Sequence, residues 1–367
     1  MVEHPALTVA LSRGLPGCSE RAARLDATDR ESVLSAAQRD RVSGFLWTAI
    51  EDGAVETDPA TAEAVLAGWK QELAGSVMVE ALAVRTARLL DGAGVRWRLT
   101  KGAAVAHLDY TDDIELRSFG DVDVVVRAAD WGATLDVLVG SGHRRPSPEL
   151  RPGFDVRFGK GATVVDPSEL EVDLHLRFAI GRYGVMARME DVFADADWIE
   201  LAGHRIPTLA GPDRLLHACY HAALGGFSAY RAARDVAQLV LVSRVDWVAT
   251  RETAERWGGG AVMATAIRGA WSTLDLDHLA HPAHRWALDR PVARRDARAL
   301  EVFRQALPFR EQALTAVSAL PVRRVPAYLL ALAVPAATTR SEMRRTVRGQ
   351  ILTATRSLLR RRSPFRR

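Results

Sequence analysis

The sequence predicts a mixed α/β (α+β) protein in which a small mixed-sheet core is flanked by helical segments at both ends. Three observations support this fold class. Residues 1–93 and the region after residue 206 carry apolar side chains at three- and four-residue spacing, which is typical of helices. Residues 94–206 instead contain short alternating or β-branched runs, which are typical of strands. We therefore predict a helical segment (1–93), an α/β core (94–206), a helical domain (207–339) and a basic tail (340–367).

The N-terminal segment is expected to contain two main helices. One prediction covers the stretch from Ser32 to Ile50 and the other the stretch from Ala62 to Leu90. Pro59 lies near the start of the second stretch, where its missing N–H group costs little. The helical pattern stops at Gly92, and Val95 to Leu99 then alternates like a strand.

The core is predicted to contain a buried strand at Val122–Val126, a run made almost entirely of valine. A helix is predicted before it, from Ala103 to Leu108, and another after it, from Asp130 to Val139. Further short strands are predicted at 154–158, 163–165 and 171–178. From Pro207 the helical pattern returns, with helices predicted from Gly211 to near Gly225 and at 229–242, 247–257, 260–274 and 293–307.

Composition excludes several classes of protein. Two cysteines cannot build a disulfide framework or a cysteine-rich zinc site. The N-terminus lacks the pattern of an export signal. The most apolar run, residues 325–337, is shorter than the roughly 20 residues of a membrane-spanning helix and contains two prolines. We predict a cytoplasmic protein that could lie at the membrane periphery through its tail.

The net charge of +4 is unevenly distributed along the chain. Residues 340–367 hold ten arginines and one acidic residue, Glu342, whereas the other 339 residues carry 39 basic and 44 acidic side chains. Because only the tail is basic, no large nucleic-acid footprint is expected. The tail has an apolar stripe at helical spacing, so it could contact anionic lipid, RNA, an acidic partner or the acidic body of the protein itself.

Lysine is scarce: only Lys70, Lys101 and Lys160 are present, against 46 arginines. This bias is typical of GC-rich bacterial genomes. A lysine that lies beside a motif is therefore of special interest. Lys101 is such a residue, because Lys101-Gly102 ends one predicted strand and opens a helix, where backbone N–H groups favour an anion.

Paired carboxylates mark the start of the valine-rich strand. Asp121 and Asp123 are two residues apart, so they project to the same side of an extended chain. Carboxylates placed this closely repel each other unless a cation lies between them. Hard divalent ions such as Mg²⁺ prefer oxygen ligands and retain water that a substrate phosphate can replace. A third carboxylate, Asp173, shares one strand face with Glu171 and His175.

These motifs together resemble the uncharacterised nucleotidyltransferase family, a branch of the DNA polymerase beta-like nucleotidyltransferase superfamily. The similarity is carried by Leu-Thr-Lys-Gly (99–102), Tyr110, Arg117, Asp-Val-Asp-Val-Val-Val (121–126) and Val-Asp-Leu-His (172–175). It extends from about residue 30 to 350 and includes His217, His221 and the Arg-Asp-Val stretch that starts at Arg234.

The resemblance implies transfer of a nucleoside monophosphate from an NTP to an unknown acceptor, with Mg²⁺ (or Mn²⁺) as cofactor and pyrophosphate as product. It implies a two-metal mechanism with three catalytic acids. Asp121 and Asp123 would hold both metal ions, and Asp173 would bind the ion at the acceptor and favour deprotonation of the acceptor. The implied nucleotide-binding residues are Lys101, Gly102, Arg117, Gly120 and His175. Lys101 and Arg117 would neutralise phosphate charge, and His175 would orient Asp173 or contact the acceptor.

Other interpretations remain open at this point. The chain could be a non-catalytic member that senses nucleotide, or a toxin-like transferase that modifies tRNA or a protein. The acceptor could be a small molecule, a peptide or a protein. His217 and His221 have the spacing of a zinc pair, but we expect a packed or acceptor-facing role because a third ligand is not nearby in sequence. Arg234 and Asp235 are expected to pair with each other.

Overall fold

The computed structural model describes residues 4–18, 21–225, 230–243 and 245–334, so the predicted basic tail lies outside it. The first part of the chain, up to the sheet, contains α1 (Pro5–Ser12), β1 (Ala23–Arg24), α2 (Arg30–Asp40), α3 (Ser43–Glu51), β2 (Val55–Glu56) and α4 (Pro59–Gly92). The core contains β3 (Trp97–Thr100), α5 (Gly102–Asp109), β4 (Val122–Val126), α6 (Trp131–Gly140), α7 (Phe154–Phe158), β5 (Gly161–Val165), β6 (Glu171–His175), α8 (Gly181–Met186), β7 (Asp197–Leu201) and β8 (His204–Thr208). Helices follow: α9 (Gly211–Leu224), α10 (Tyr230–Leu241), α11 (Trp247–Arg256), α12 (Gly260–Thr273), α13 (Pro282–Asp289), α14 (Arg294–Arg304), α15 (Phe309–Leu314) and α16 (Val325–Ala333).

The main sheet has six strands in the order β5-β6-β4-β3-β8-β7. Strands β4 and β6 are parallel, as are β3 and β8, whereas the other neighbouring pairs are antiparallel. Strands β1 and β2 form a separate parallel pair. A mixed sheet with helical segments on both sides in the chain confirms the predicted fold class.

The two faces of strand β4 belong to different hydrophobic cores. Val122 and Val124 point into a core with the C-terminal half of α4 and with α6. Val125 points to the opposite face, where the N-terminal helices and the helices after residue 206 share one large core. Alternation along a strand explains this division, because successive side chains point to opposite faces. Asp123 projects to the same side as Val125.

Helix α4 contributes to both cores. Asp58 caps its N-terminus by accepting a hydrogen bond from the Thr61 backbone N–H at 3.0 Å, and Pro59 occupies the first turn. Val65 belongs to the core of the N-terminal helices, whereas Leu82 and Leu90 belong to the core under the sheet. Among the described helices, including this one of 34 residues, none is long and apolar enough to cross a membrane.

The predicted strand at 154–158 is wrong, because these residues form the short helix α7. Phe154 and Phe158 are four residues apart, so one helical turn places both rings against Tyr328, at centroid distances of 6.0 and 5.0 Å. The carboxylate of Glu149 accepts hydrogen bonds from the backbone N–H groups of Gly153 and Asp155 at 3.0 and 3.3 Å. Both contacts favour the helix over an alternating strand.

The hairpin of β7 and β8 was not predicted, and the helical pattern starts at Gly211 rather than at Pro207. Pro207 lies inside β8, opposite Trp198 of β7. On its other side β8 pairs with β3 only at Thr208, so the missing proline N–H group breaks few ladder hydrogen bonds. The predicted helix start at Gly211 is confirmed, but residues 197–201 and 204–208 form strands that the sequence pattern did not predict.

Candidate active site

The register of two parallel strands brings two predicted carboxylates side by side. Val122 of β4 is opposite Val172 of β6, and Asp123 is opposite Asp173. The intervening valines and leucine anchor both strands in the core under the sheet, so both aspartates project from the opposite face. The Val-Asp-Val and Val-Asp-Leu patterns therefore hold two acids together on one side.

His175 completes a cluster with these acids. Its Nε2 lies 2.7 Å from Oδ1 of Asp123, so the expected contact with Asp173 is replaced by one with Asp123. Asp173 instead accepts a hydrogen bond from Thr163 Oγ1 at 2.5 Å. One potential ligand atom from each of Asp123, Asp173 and His175 lies within 4.8 Å of the others.

Lys101 reaches the same carboxylate from a strained turn. Its backbone φ is +47°, which residues other than glycine rarely adopt. Such a conformation costs about 1–3 kcal/mol. This turn joins β3 directly to α5, which begins at Gly102. The ammonium Nζ lies 2.5 Å from Oδ1 of Asp123 and is largely buried. Backbone strain at this position therefore places a cation on the carboxylate cluster.

The two aspartates of the Asp-Val-Asp motif have opposite pKa shifts. Burial would raise the pKa of Asp123, but Lys101 and His175 hold it well below the ordinary value. Burial and the neighbouring charge of Asp123 raise the pKa of Asp121 to about 6, and Lys101 opposes the shift only in part. Asp173 adds to the repulsion at Asp121. Asp121 thus borders the cluster electrostatically, and Lys101 and Arg231 offset its negative charge only in part.

The histidines of the site are held neutral. Burial lowers the pKa of His175, and the charges of Lys160 and Lys101 lower it further. Burial also lowers the pKa values of His217 and His221 on α9 well below the ordinary range. The His217 ring packs 6.3 Å from the His175 ring, between centroids. The helix α9 therefore adds neutral, packed imidazoles behind the acidic cluster.

Arg117 lies in a buried ion pair. Its Nε and Nη2 atoms donate to the two carboxylate oxygens of Asp235, both at 2.7 Å, and Nη1 donates to the carbonyl of Ser118. Tyr110 donates its hydroxyl to Asp235 at 3.0 Å. The expected Arg234–Asp235 pair is wrong. Adjacent residues on a helix point in different directions, and Arg234 instead donates to Gln238 and to the backbone carbonyls of Leu11 and Arg13 at the end of α1.

Three further cations near the carboxylates were not singled out as site residues. The guanidinium of Arg41 covers Gly120 so closely that a Cβ atom there would collide with it. Arg231 on α10 interacts electrostatically with Asp121, and burial lowers the pKa of Arg231 to about 10. Burial and the charge of Lys101 lower the pKa of Lys160. The scarcity of lysine could have drawn attention to Lys160. With 46 arginines in the chain, the sequence does not distinguish Arg41 or Arg231 from the others.

The cluster is compatible with metal binding. Asp123 and Asp173 offer carboxylate oxygens, which hard divalent cations prefer. His175 is neutral, and its Nδ1 is buried without a hydrogen-bond partner among the described residues. A buried acceptor atom without a donor costs free energy. A bound cation, or a water molecule held by a cation, would remove this cost. The donor set therefore fits a divalent ion.

Substitution of Asp121 by asparagine is expected to stabilise the metal-free protein at pH 8. The folded pKa of about 6 exceeds the unfolded value of 3.8, so the stabilisation by protonation is complete below pH 4 and is lost as the pH rises through 6. We expect D121N to gain about 1–3 kcal/mol over the wild type at pH 8 and little at pH 4. Urea denaturation in EDTA measures the free energy of unfolding at both pH values. The control is Asp136→Asn, at an exposed position of α6. Lower stability of D121N at pH 8 would contradict this interpretation.

The comparison with protein families agrees with this geometry. A model of the uncharacterised nucleotidyltransferase family matches residues 26–293, which include the six-stranded sheet, the carboxylate cluster and the helices from α2 to α13. No curated protein matches the chain. Because the match covers most of the sequence and includes each residue of the cluster, the chain belongs to the uncharacterised nucleotidyltransferase family.

Proposed function

We propose that the protein transfers a nucleoside monophosphate from an NTP to an acceptor, with Mg²⁺ or Mn²⁺ as cofactor and pyrophosphate as product. One observation carries the proposal: the register of β4 and β6 places Asp123 beside Asp173, with Lys101 and His175 in contact with Asp123. Family membership supports nucleotidyl transfer in general. The metal, the nucleotide and the acceptor belong to the proposal.

All three acidic residues bind the metal in this proposal, and Asp173 has a second role at the acceptor. Asp121, Asp123 and Asp173 hold the divalent ion, which, when bound, stabilises negative charge on the attacking and leaving oxygens. Asp173 lies beside the acceptor, whose oxygen forms a bond to the α-phosphorus while its proton passes to solvent. The bond from that phosphorus to the bridging oxygen breaks, and pyrophosphate leaves with the electron pair.

The cations divide the work of neutralising the triphosphate. Lys101 is close to the carboxylates and is only partly exposed, so its charge acts in a water-poor site. Arg231 is near Asp121 and forms no ion pair with a carboxylate among the described residues. Arg117, by contrast, is ion-paired with Asp235. We therefore assign phosphate contact to Lys101 and Arg231. Arg117, whose guanidinium is bonded to Asp235, would support the backbone that leads through Gly120 to Asp121.

The proposal is tested by incubating the full chain with each α-labelled NTP, with Mg²⁺ or Mn²⁺, and with a fractionated bacterial lysate as acceptor. We expect metal-dependent pyrophosphate release and transfer of the label to one fraction. The variant D121N/D123N serves as the comparison. Equal pyrophosphate release by this variant would contradict the proposal. Nucleotide binding without any release by the wild type would favour a non-catalytic sensor.

A further inference from the structure

A cavity opens on the Asp173 side of the carboxylate cluster. It has a volume of about 380 Å³ and is reached by Asp173, His175 and Lys160. Its other walls come from the segment 145–150, from α7, from β5 and from Phe309 at the start of α15. Lys101, Asp121 and Asp123 do not line it. The cavity therefore adjoins the cluster at Asp173 and His175 rather than at the Asp-Val-Asp motif, and its volume is typical of a small-molecule site.

Among the described residues, Lys160 is the cation of this cavity without an ion-pair partner, although it interacts electrostatically with Asp123 and Asp173. Arg145 is paired with Asp155 at 2.5 Å, and the carboxylate of Glu149 accepts the backbone hydrogen bonds that begin α7. By contrast, the described residues provide Lys160 Nζ with neither a hydrogen bond nor an ion pair. The nearby carboxylates already have donors, because Lys101 and His175 bond Asp123 and Thr163 bonds Asp173.

The backbone around Lys160 is held rigidly. The carbonyl of Lys160 accepts hydrogen bonds from the N–H groups of Leu176 and Arg177 at 2.7 and 3.0 Å. The two flanking glycines pack too closely for a side chain: a Cβ on Gly159 would meet the Asp155 backbone, and one on Gly161 would meet Leu174. Arg177 also donates to the carbonyl of Gly159 at 2.6 Å. These contacts fix the position from which the lysine side chain enters the cavity.

The described wall of the cavity combines apolar surface with the Lys160 ammonium group, which has no ion pair there. Apolar lining side chains include Leu150, Phe154, Ile180 and Phe309. Phe309 is 52% exposed, so its ring is available to pack against a ligand. An ammonium group beside such a wall favours a ligand with an anionic group and an apolar body, since pockets of this kind use few polar groups to fix orientation.

We propose that this cavity is the acceptor site and that Lys160 binds a carboxylate or phosphate group of a small acceptor, whose apolar part packs against Phe154, Ile180 and Phe309. The assignment rests on the proposed nucleotidyl transfer. A hydroxyl of the bound acceptor would face Asp173, where its oxygen bonds to the α-phosphorus. Pyrophosphate leaves as the bond from phosphorus to the bridging oxygen breaks, and the hydroxyl proton goes to solvent.

The test measures binding of two anionic probes to the full chain in Mg²⁺, by ligand-observed NMR titration. The probes are 4-hydroxybenzoate for a carboxylate and phenyl phosphate for a phosphate, and 4-hydroxybenzamide is the neutral comparison. We expect Lys160→Met to weaken the binding of at least one anionic probe about tenfold or more, because the variant loses a charge-assisted hydrogen bond. Lys160→Arg keeps the charge and should restore most of the binding. Lys70→Met, at an exposed position of α4, should leave it unchanged.

Three outcomes would overturn the acceptor assignment. They are the absence of binding of either anionic probe to the wild type, equal binding by K160M, and displacement of the bound probe by an ATP analogue with a methylene bridge between the α- and β-phosphates. The last result would make the cavity part of the nucleotide site. Because binding is measured without turnover, a wild type that releases no pyrophosphate contradicts the proposed function and is distinguishable from these outcomes.

Discussion

Replacement of Asp123 by asparagine should reduce metal-dependent pyrophosphate release by about 10²–10³-fold or more, the loss typical of one removed electrostatic group in an active site. Asp123 is the carboxylate that Lys101 and His175 both contact, and it is opposite Asp173 in the sheet. Asparagine keeps the shape of the side chain but removes its charge. Steady-state rates at saturating NTP and Mg²⁺ provide the measurement.

Two controls separate this effect from misfolding. Asp136→Asn removes an exposed carboxylate of α6 and should retain the wild-type rate. The thermal unfolding midpoint of D123N should show that the sheet is intact, and a Mn²⁺ titration should show weakened metal binding. A folded D123N protein with wild-type activity would exclude Asp123 from the reaction.

Replacement of Asp235 by alanine should lower the free energy of unfolding by about 3–5 kcal/mol, because it leaves a buried guanidinium without its counter-ion. Arg117 is only 4% exposed, and two of its N–H groups are bonded to Asp235. Tyr110 loses its hydrogen-bond acceptor in the same substitution. Urea denaturation with linear extrapolation gives the difference.

The Asp235 prediction has a matched surface control. Glu301 and Arg304 form an exposed pair on α14, so Glu301→Gln should leave the free energy of unfolding almost unchanged. The double variant R117M/D235L should be more stable than D235A, since no unpaired charge then remains buried. A loss below about 1 kcal/mol in D235A would show that Arg117 does not depend on Asp235 as its buried counter-ion.

Local patterns predicted the elements that carry the acids. The valine run gave the bounds of β4 correctly, because β-branched residues bounded by glycine and polar residues have few alternatives to a buried strand. Side-chain alternation also placed Asp173 and His175 on one face of β6. Alternation failed for residues 154–158, where the aromatic contacts with Tyr328, some 170 residues later, favour a helix.

Long-range contacts of the site could not be read from one sequence. The partner of Arg117 is 118 residues away, and the choice of Asp235 over any other acid depends on how α10 packs against the segment before β4. In the same way, the register of β4 and β6 decides that His175 contacts Asp123 rather than Asp173. The roles of Gly102 and Gly120 at the nucleotide remain predictions.

The shared core of the two helical regions has a consequence for synthesis of the protein on the ribosome. Leu7 and Leu46 are buried in the same cluster as Leu215 and Ile267. The first pair emerges before more than 150 intervening residues have been translated, which takes roughly 10–30 s at about 5–20 residues per second. During that time α1 and α3 can pack against each other and against α4, but they lack the part of their core that comes from the helices after residue 206. Chaperones that bind exposed apolar helices should therefore associate with the nascent chain until α9 and α12 have been made.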